Sequence, residues 1–322
     1  MASGPAAGKA GAGGKTLQRL KLLLVLLLLA CGAQAQGLPG SEAVILRVDD
    51  ESIYAHLFKP AQEGRRPAMV LVHGFDGVSE AREGFWAREL AALGVVTLVI
   101  QSFSARGVGT SIGDQSRVST AQGVRDAYAA LGYLSTLPYV DTARIGVMGM
   151  SRGGSVAIRA VDRHKHDEAG PRFAAAVALY PGCVAQYRNP QPGAPLQVLL
   201  GERDDYTDVK ACAAYLERMR AAGGAVELRV YPGVRHGFDG DTRNEREFFF
   251  PQAQNLSACL LYIEDDGSTT YARTGEKLAS PLKAAEVMRR DCMKSGATIA
   301  ANARAKRQAL DDVKAFLKGK LL

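Results

Sequence analysis

The sequence predicts an α/β fold, with a doubly wound, mostly parallel eight-stranded sheet flanked by helices. Three observations predict it. Six short runs, at residues 68–72, 95–100, 144–148, 174–179, 196–200 and 226–230, are apolar at nearly every position. Strands covered on both faces have that composition. Helical stretches near residues 80–93, 119–136, 153–166 and 207–222 alternate with these runs, and another spans about 303–318. Two earlier strands, 43–48 and 53–58, joined by Asp49-Asp50-Glu51-Ser52, read as an antiparallel hairpin.

These elements begin after residue 40. Upstream, Lys9, Lys15, Arg19 and Lys21 form a basic start without an acid, residues 22–30 are apolar, and Ala33-Gln34-Ala35 offers a cleavage site. An apolar run of this length is too short for a bilayer of about 30 Å, which needs roughly 20 residues. Residues 1–35 therefore read as a secretory signal peptide rather than a membrane span. Leu28-Leu29-Ala30-Cys31 also fits a lipobox, which makes lipidation at Cys31 the alternative to cleavage after Ala35. Either route exports the chain, to the periplasm or beyond. Losing the leader lowers the formal net charge from +7 to +3, so the positive balance does not imply a nucleic-acid partner. The 47% hydrophobic and 23% charged composition suits one globular domain, here residues 40–322.

Apart from Cys31, the cysteines are Cys183, Cys212, Cys259 and Cys292. An even number in an exported chain suggests two disulfides, with buried free thiols as the alternative. Cys183–Cys212 with Cys259–Cys292 is the favoured pairing, because Cys183 follows one strand and Cys212 lies in the helix after the next. The irregular stretch at about 239–299 separates the last strand from the last helix. It reads as an insertion stapled by Cys259 and Cys292 that forms one wall of the site.

The chemistry rests on Gly149-Met150-Ser151-Arg152-Gly153-Gly154, a G-x-S-x-G turn between a buried strand and a helix. Such a turn lifts the serine hydroxyl above the sheet and aims the helix N-terminus at a developing oxyanion. Its neighbours must be small for the chains to pass. Gly109-Thr110-Ser111-Ile112-Gly113 has the same spacing but follows a Gly-rich loop and precedes no helix. The bland reading of Ser151 is a helix cap, which would not require three glycines.

A serine hydroxyl needs a base. Of five histidines, His56 lies in the hairpin on its expected solvent face, and His164 and His166 lie in a charged helix end expected to be solvated. His73, in His73-Gly74-Phe75-Asp76-Gly77, reads as a structural histidine packing its loop. His236 remains, directly after the last strand. The carboxylate that orients it should follow a strand between Ser151 and His236. Asp204 fits, with Asp205 the alternative; one of the two is expected to cap the helix beginning near Asp208. The backbone N–H groups of Arg152 and Phe75 are the expected oxyanion donors.

Together with Tyr180-Pro181-Gly182-Cys183, Gly201-Glu202-Arg203-Asp204-Asp205-Tyr206-Thr207 and the residues around His236, these motifs resemble the dienelactone hydrolase family. The resemblance covers about 43–238 and the terminal helix. It implies the α/β-hydrolase fold, no cofactor, and a small-molecule ester or lactone as substrate. Founding members carry a cysteine nucleophile where this chain has Ser151, which favours carboxylic esters over dienelactone itself. They also hold a substrate carboxylate with arginines, for which Arg106 and Arg235 are the loose counterparts, a solvated role being the alternative.

The expected activity is therefore ester or lactone hydrolysis through a Ser-His-Asp triad and an acyl-enzyme. The competing readings are a prolyl-oligopeptidase-like peptidase, whose usual upstream propeller has no counterpart here, and a non-catalytic binding protein, which should have lost a triad member. No metal is expected: Asp239-Gly240-Asp241 and Glu264-Asp265-Asp266 read as solvated acidic turns.

Overall fold

Apolar, often β-branched segments that cannot stay in water form the sheet, and turn residues separate them. The computed structural model describes residues 1–4, 38–165 and 170–322. Its strands run β1 (Glu42–Val48), β2 (Glu51–Phe58), β3 (Arg66–Val72), β4 (Val96–Gln101), β5 (Val140–Met150), β6 (Ala175–Leu179), a short β7 (Ala185–Tyr187), β8 (Leu196–Gly201) and β9 (Val226–Tyr231). Eight of them pair in the order β1-β2-β4-β3-β5-β6-β8-β9. The hairpin β1–β2 joins antiparallel onto β4, and from β4 to β9 every pairing is parallel. β3, β6 and β8 are covered almost throughout, whereas the edge strands β1 and β9 alternate between exposed and covered residues.

The helices are α1 (Phe85–Ala92), α2 (Thr120–Ser135), α3 (Arg152–Ala160), α4 (Val209–Ala221), α5 (Pro281–Asp291) and α6 (Ala303–Lys318). Their apolar stripes define two cores, one on each face of the sheet. Leu131 and Leu134 of α2, Val156 and Ile158 of α3 and Leu216 of α4 meet Val70, Leu98 and Val147 on one side. On the other, Trp86 and Leu90 of α1 and Val313, Phe316 and Leu317 of α6 meet Met69, Leu71 and Val99. Each fully buried side chain of this size contributes about 1.5–3 kcal/mol. Polar side chains close the helix starts: Ser119 accepts from Gln122 N–H, Asp208 from Lys210 and Ala211 N–H, and Asn302 from Ala305 N–H. The cap on α4 is thus Asp208 itself, not Asp204 or Asp205.

The helix expected over 153–166 stops at Ala160. Asp162 follows, and its buried carboxylate takes the backbone N–H groups of His164 and Gln191, turning the chain away. His166 and the expected leader, from the basic start through Cys31, lie outside the described residues. Among the described residues, no helix is long and apolar enough to cross a membrane.

The 239–299 stretch is folded. β10 (Phe248–Asn255) pairs antiparallel with β13 (Lys294–Ile299), and β11 (Leu261–Ile263) joins β12 (Thr269–Tyr271) and the distant β7. Disulfides join Cys183 to Cys212 and Cys259 to Cys292, the pairing favoured from sequence. The chain leaves and re-enters at adjacent points, where Asn302 N–H donates to Phe238 O at 2.8 Å.

Candidate active site

Ser151 sits between β5 and α3 with φ 53° and ψ −115°. A non-glycine residue there costs about 1–3 kcal/mol. The turn is held by Ser151 N–H donating to Leu179 O of β6 at 2.9 Å. Ser151 occupies the cap position of α3, yet its side chain makes no capping bond. Its hydroxyl points instead to His236, with Oγ 2.9 Å from Nε2.

Steric crowding explains the glycines. A Cβ on Gly149 would lie 2.1 Å from Gly153 O, and one on Gly153 would lie 2.0 Å from Val72 O. Backbone, not a movable side chain, blocks both. Gly153→Ala should therefore push α3 off the end of β3, at a cost of about 3 kcal/mol. The thermal midpoint should fall by about 6–12 °C in calorimetry; an unchanged midpoint would mean that the turn has room to spare.

His236 reaches the serine from the loop after β9. Gly201 lets that loop pass, since a Cβ there would meet Val234 O at 2.5 Å. Asp204 Oδ2 lies 2.8 Å from His236 Nδ1. That carboxylate also accepts from Tyr206 N–H, Thr207 N–H and the Thr207 hydroxyl. Burial alone would raise the Asp204 pKa; its electrostatic pairing with His236 and these hydrogen bonds outweigh it and hold the carboxyl below its ordinary value. With Nδ1–H donated to Asp204, Nε2 is left as a hydrogen-bond acceptor facing the Ser151 hydroxyl. Tyr206 and Tyr180 pack their edges on the imidazole, with centroids at 5.0 and 4.6 Å. Asp205 faces away and takes Thr298 N–H and Arg235.

The 73–75 loop runs beside Ser151: a Cβ on Gly74 would meet Ser151 Cβ at 3.6 Å. His73 braces this loop. Its Nε2 accepts from Ser102 N–H and its Nδ1 donates to Gly74 O at 2.7 Å. Burial and the nearby Arg152 charge push its pKa down to about 4, so it stays neutral. Arg152 opens α3, so its N–H has no partner inside the helix. Its guanidinium turns away, onto the carbonyls of Val118 and Ser119.

Four expectations need revision. His56 is buried, and Ser41 Oγ lies 3.5 Å from its Nδ1. The His164 side chain is also covered: it stacks on Tyr187 at 4.5 Å and bonds Asp162. Asp239 is no solvated turn; it is fully buried and accepts from Trp86 Nε1 and the Tyr180 hydroxyl. Neither Asp204 nor Asp205 caps α4, as noted above. Ser111 is buried without a hydrogen-bond partner for Oγ among the described residues, while its N–H donates to Phe75 O. Arg106 is held by Glu51 and Asp126, and Arg235 by Asp205 and Glu247. Sequence reading assigned no role to Trp86 or, beyond its place in the Tyr180-Pro181-Gly182-Cys183 motif, to Tyr180; both meet Asp239.

Residues 53–260 match the dienelactone hydrolase family, a span that contains Ser151, Asp204 and His236. The chain is 29% identical over 227 residues to a candidate carboxymethylenebutenolidase of Methylorubrum extorquens, covering 65% of this chain and 75% of that protein. It is 26% identical over 212 residues to a candidate 2-oxo-3-(5-oxofuran-2-ylidene)propanoate lactonase of a Bradyrhizobium species, covering 61% and 82%. A thermophilic esterase of Thermogutta terrifontis superposes with a TM-score of 0.52 at 21% identity, over 64% of this chain and 86% of that one. A candidate dienelactone hydrolase of Klebsiella pneumoniae gives 0.52 at 21%, over 62% and 87%. The sheet order and these neighbours make the fold that of the α/β-hydrolases.

Proposed function

Given that the chain belongs to the dienelactone hydrolase family and is a carboxylic ester hydrolase, we propose that it works through an acyl-enzyme on Ser151. The observation that carries this is a serine at a helix cap that caps nothing and turns its Oγ to His236 Nε2 at 2.9 Å. His236 takes the serine proton as Oγ bonds to the ester carbonyl carbon. The resulting oxyanion is held by the N–H groups of Phe75 and Arg152. The C–O bond then breaks, and His236 returns the proton to the departing alcohol. Water, deprotonated by His236, repeats the attack and frees the acid and Ser151. Asp204 fixes the imidazole tautomer and stabilises the imidazolium. Residues 1–35 serve as an export leader in this reading, which the two disulfides support.

A fluorophosphonate probe tests the nucleophile directly. One equivalent should attach, peptide mass spectrometry should find it on Ser151, and ester hydrolysis should fall in proportion. Attachment at Ser111, or none to a folded protein, would overturn the proposal.

A further inference from the structure

We propose that the site takes uncharged esters with an apolar chain, seated on a wall formed by Phe75, Ile112, Phe250 and Ile299 and extended at its rim by Phe248; this rests on Ser151 being the nucleophile. The wall begins at the proposed oxyanion loop. Phe75 packs edge-on against Tyr206, whose ring in turn packs on His236. The same apolar cluster holds Ile112, Ala253, Ala297 and Phe250. Strand alternation then continues it outward. In the β10–β13 ladder, Phe250 pairs with Ala297 and Phe248 with Ile299, so all four side chains share one face. Ile299 also bridges to His236 and lies so close that a Cβ on Gly237 would meet it at 2.8 Å. Phe75, Phe250 and Ile299 are half-buried, and Phe248 is 46% exposed. Phe248 stands opposite Ile299, whose backbone bridges to His236, and an apolar substrate chain would cover its exposed ring. Charge points the same way. Both arginines that the family resemblance offered to a substrate carboxylate already face two carboxylates each.

The test measures kcat/KM for the mature protein on two series: p-nitrophenyl esters from acetate to hexanoate, and alkyl acetates from methyl to hexyl. The p-nitrophenyl monoester of succinate is the charged comparator. A fully buried methylene is worth about fourfold. A half-open wall should still give about a tenfold rise along at least one series, with the succinate ester slower than butyrate. Phe248→Ser, at an exposed position, should cut the long-to-short ratio in that series at least about threefold, with folding checked by circular dichroism. Flat profiles in both series, a faster succinate ester, or an unchanged ratio in Phe248→Ser would each overturn the wall. Acetate hydrolysis in Ser151→Ala reports on the underlying reading separately. Activity that depends on Ser151 but ignores chain length sinks only the present proposal.

Discussion

Ser151→Ala is expected to lower kcat for a short-chain p-nitrophenyl ester by about 10⁵-fold or more. The variant keeps His236, Asp204 and both proposed oxyanion donors but has no atom to carry the acyl group. What survives should be the modest acceleration that binding and oxyanion stabilisation give without a nucleophile. The fold should persist: the hydroxyl makes one hydrogen bond, to His236, worth about 1 kcal/mol, so the thermal midpoint should move by no more than about 4 °C. Ser111→Ala is the matched comparison. Its Oγ has no partner among the described residues, and its contact with Phe75 is made by backbone, which alanine retains. Its kcat should stay within about threefold of the parent. Equal losses in the two variants would remove Ser151 from its assigned role.

Asp204→Asn should lower kcat by about 10⁴-fold, with KM much less affected. The reason is proton placement rather than shape. An asparagine amide can present N–H to His236 Nδ1, which then must accept, and the ring proton moves to Nε2. A ring in that tautomer cannot take the proton from Ser151. The backbone N–H groups of Tyr206 and Thr207 would still hold the asparagine oxygen in the place of Oδ1, so geometry should survive while chemistry fails. Asp205→Asn is the discriminating partner, because sequence left both carboxylates open. Asp205 accepts Thr298 N–H and pairs with Arg235, and it should lose only a few-fold in activity. Reversed magnitudes would transfer the orienting role to Asp205.

The fold was legible because parallel strands buried on both faces must be largely apolar, and β3, β4, β6 and β8 are, with only Arg66, Thr97, Gln101 and Gln197 as polar members. The turn at Ser151 was legible because Gly149 and Gly153 are forced by backbone contact, so sterics wrote it into the chain. His236 emerged by elimination among five histidines, but two of the reasons for elimination were wrong. His56 is buried and His164 is covered by its stack on Tyr187, and neither carries a local signal for burial. The 239–299 stretch resisted because β10 contains Pro251 and Gln252 amid phenylalanines and because β7, β11 and β12 are three residues each. Short strands paired across distant segments leave no periodicity to read. Trp86, Tyr180 and Asp239 meet only after folding, so no spacing announces their contact behind the imidazole.

The hydrogen bond from Asn302 N–H to Phe238 O shapes how such a protein can evolve. It pins together the two ends of a long excursion, whose body is further tied to β7 through β11 and to Asp205 through Thr298. A change of length between those ends would leave the register of the eight-stranded sheet in place. Substrate preference can then drift on one timescale while the hydrolytic chemistry stays fixed on another. Divergence among relatives should accordingly collect in this segment, and grafting it between them is a direct route to new preferences.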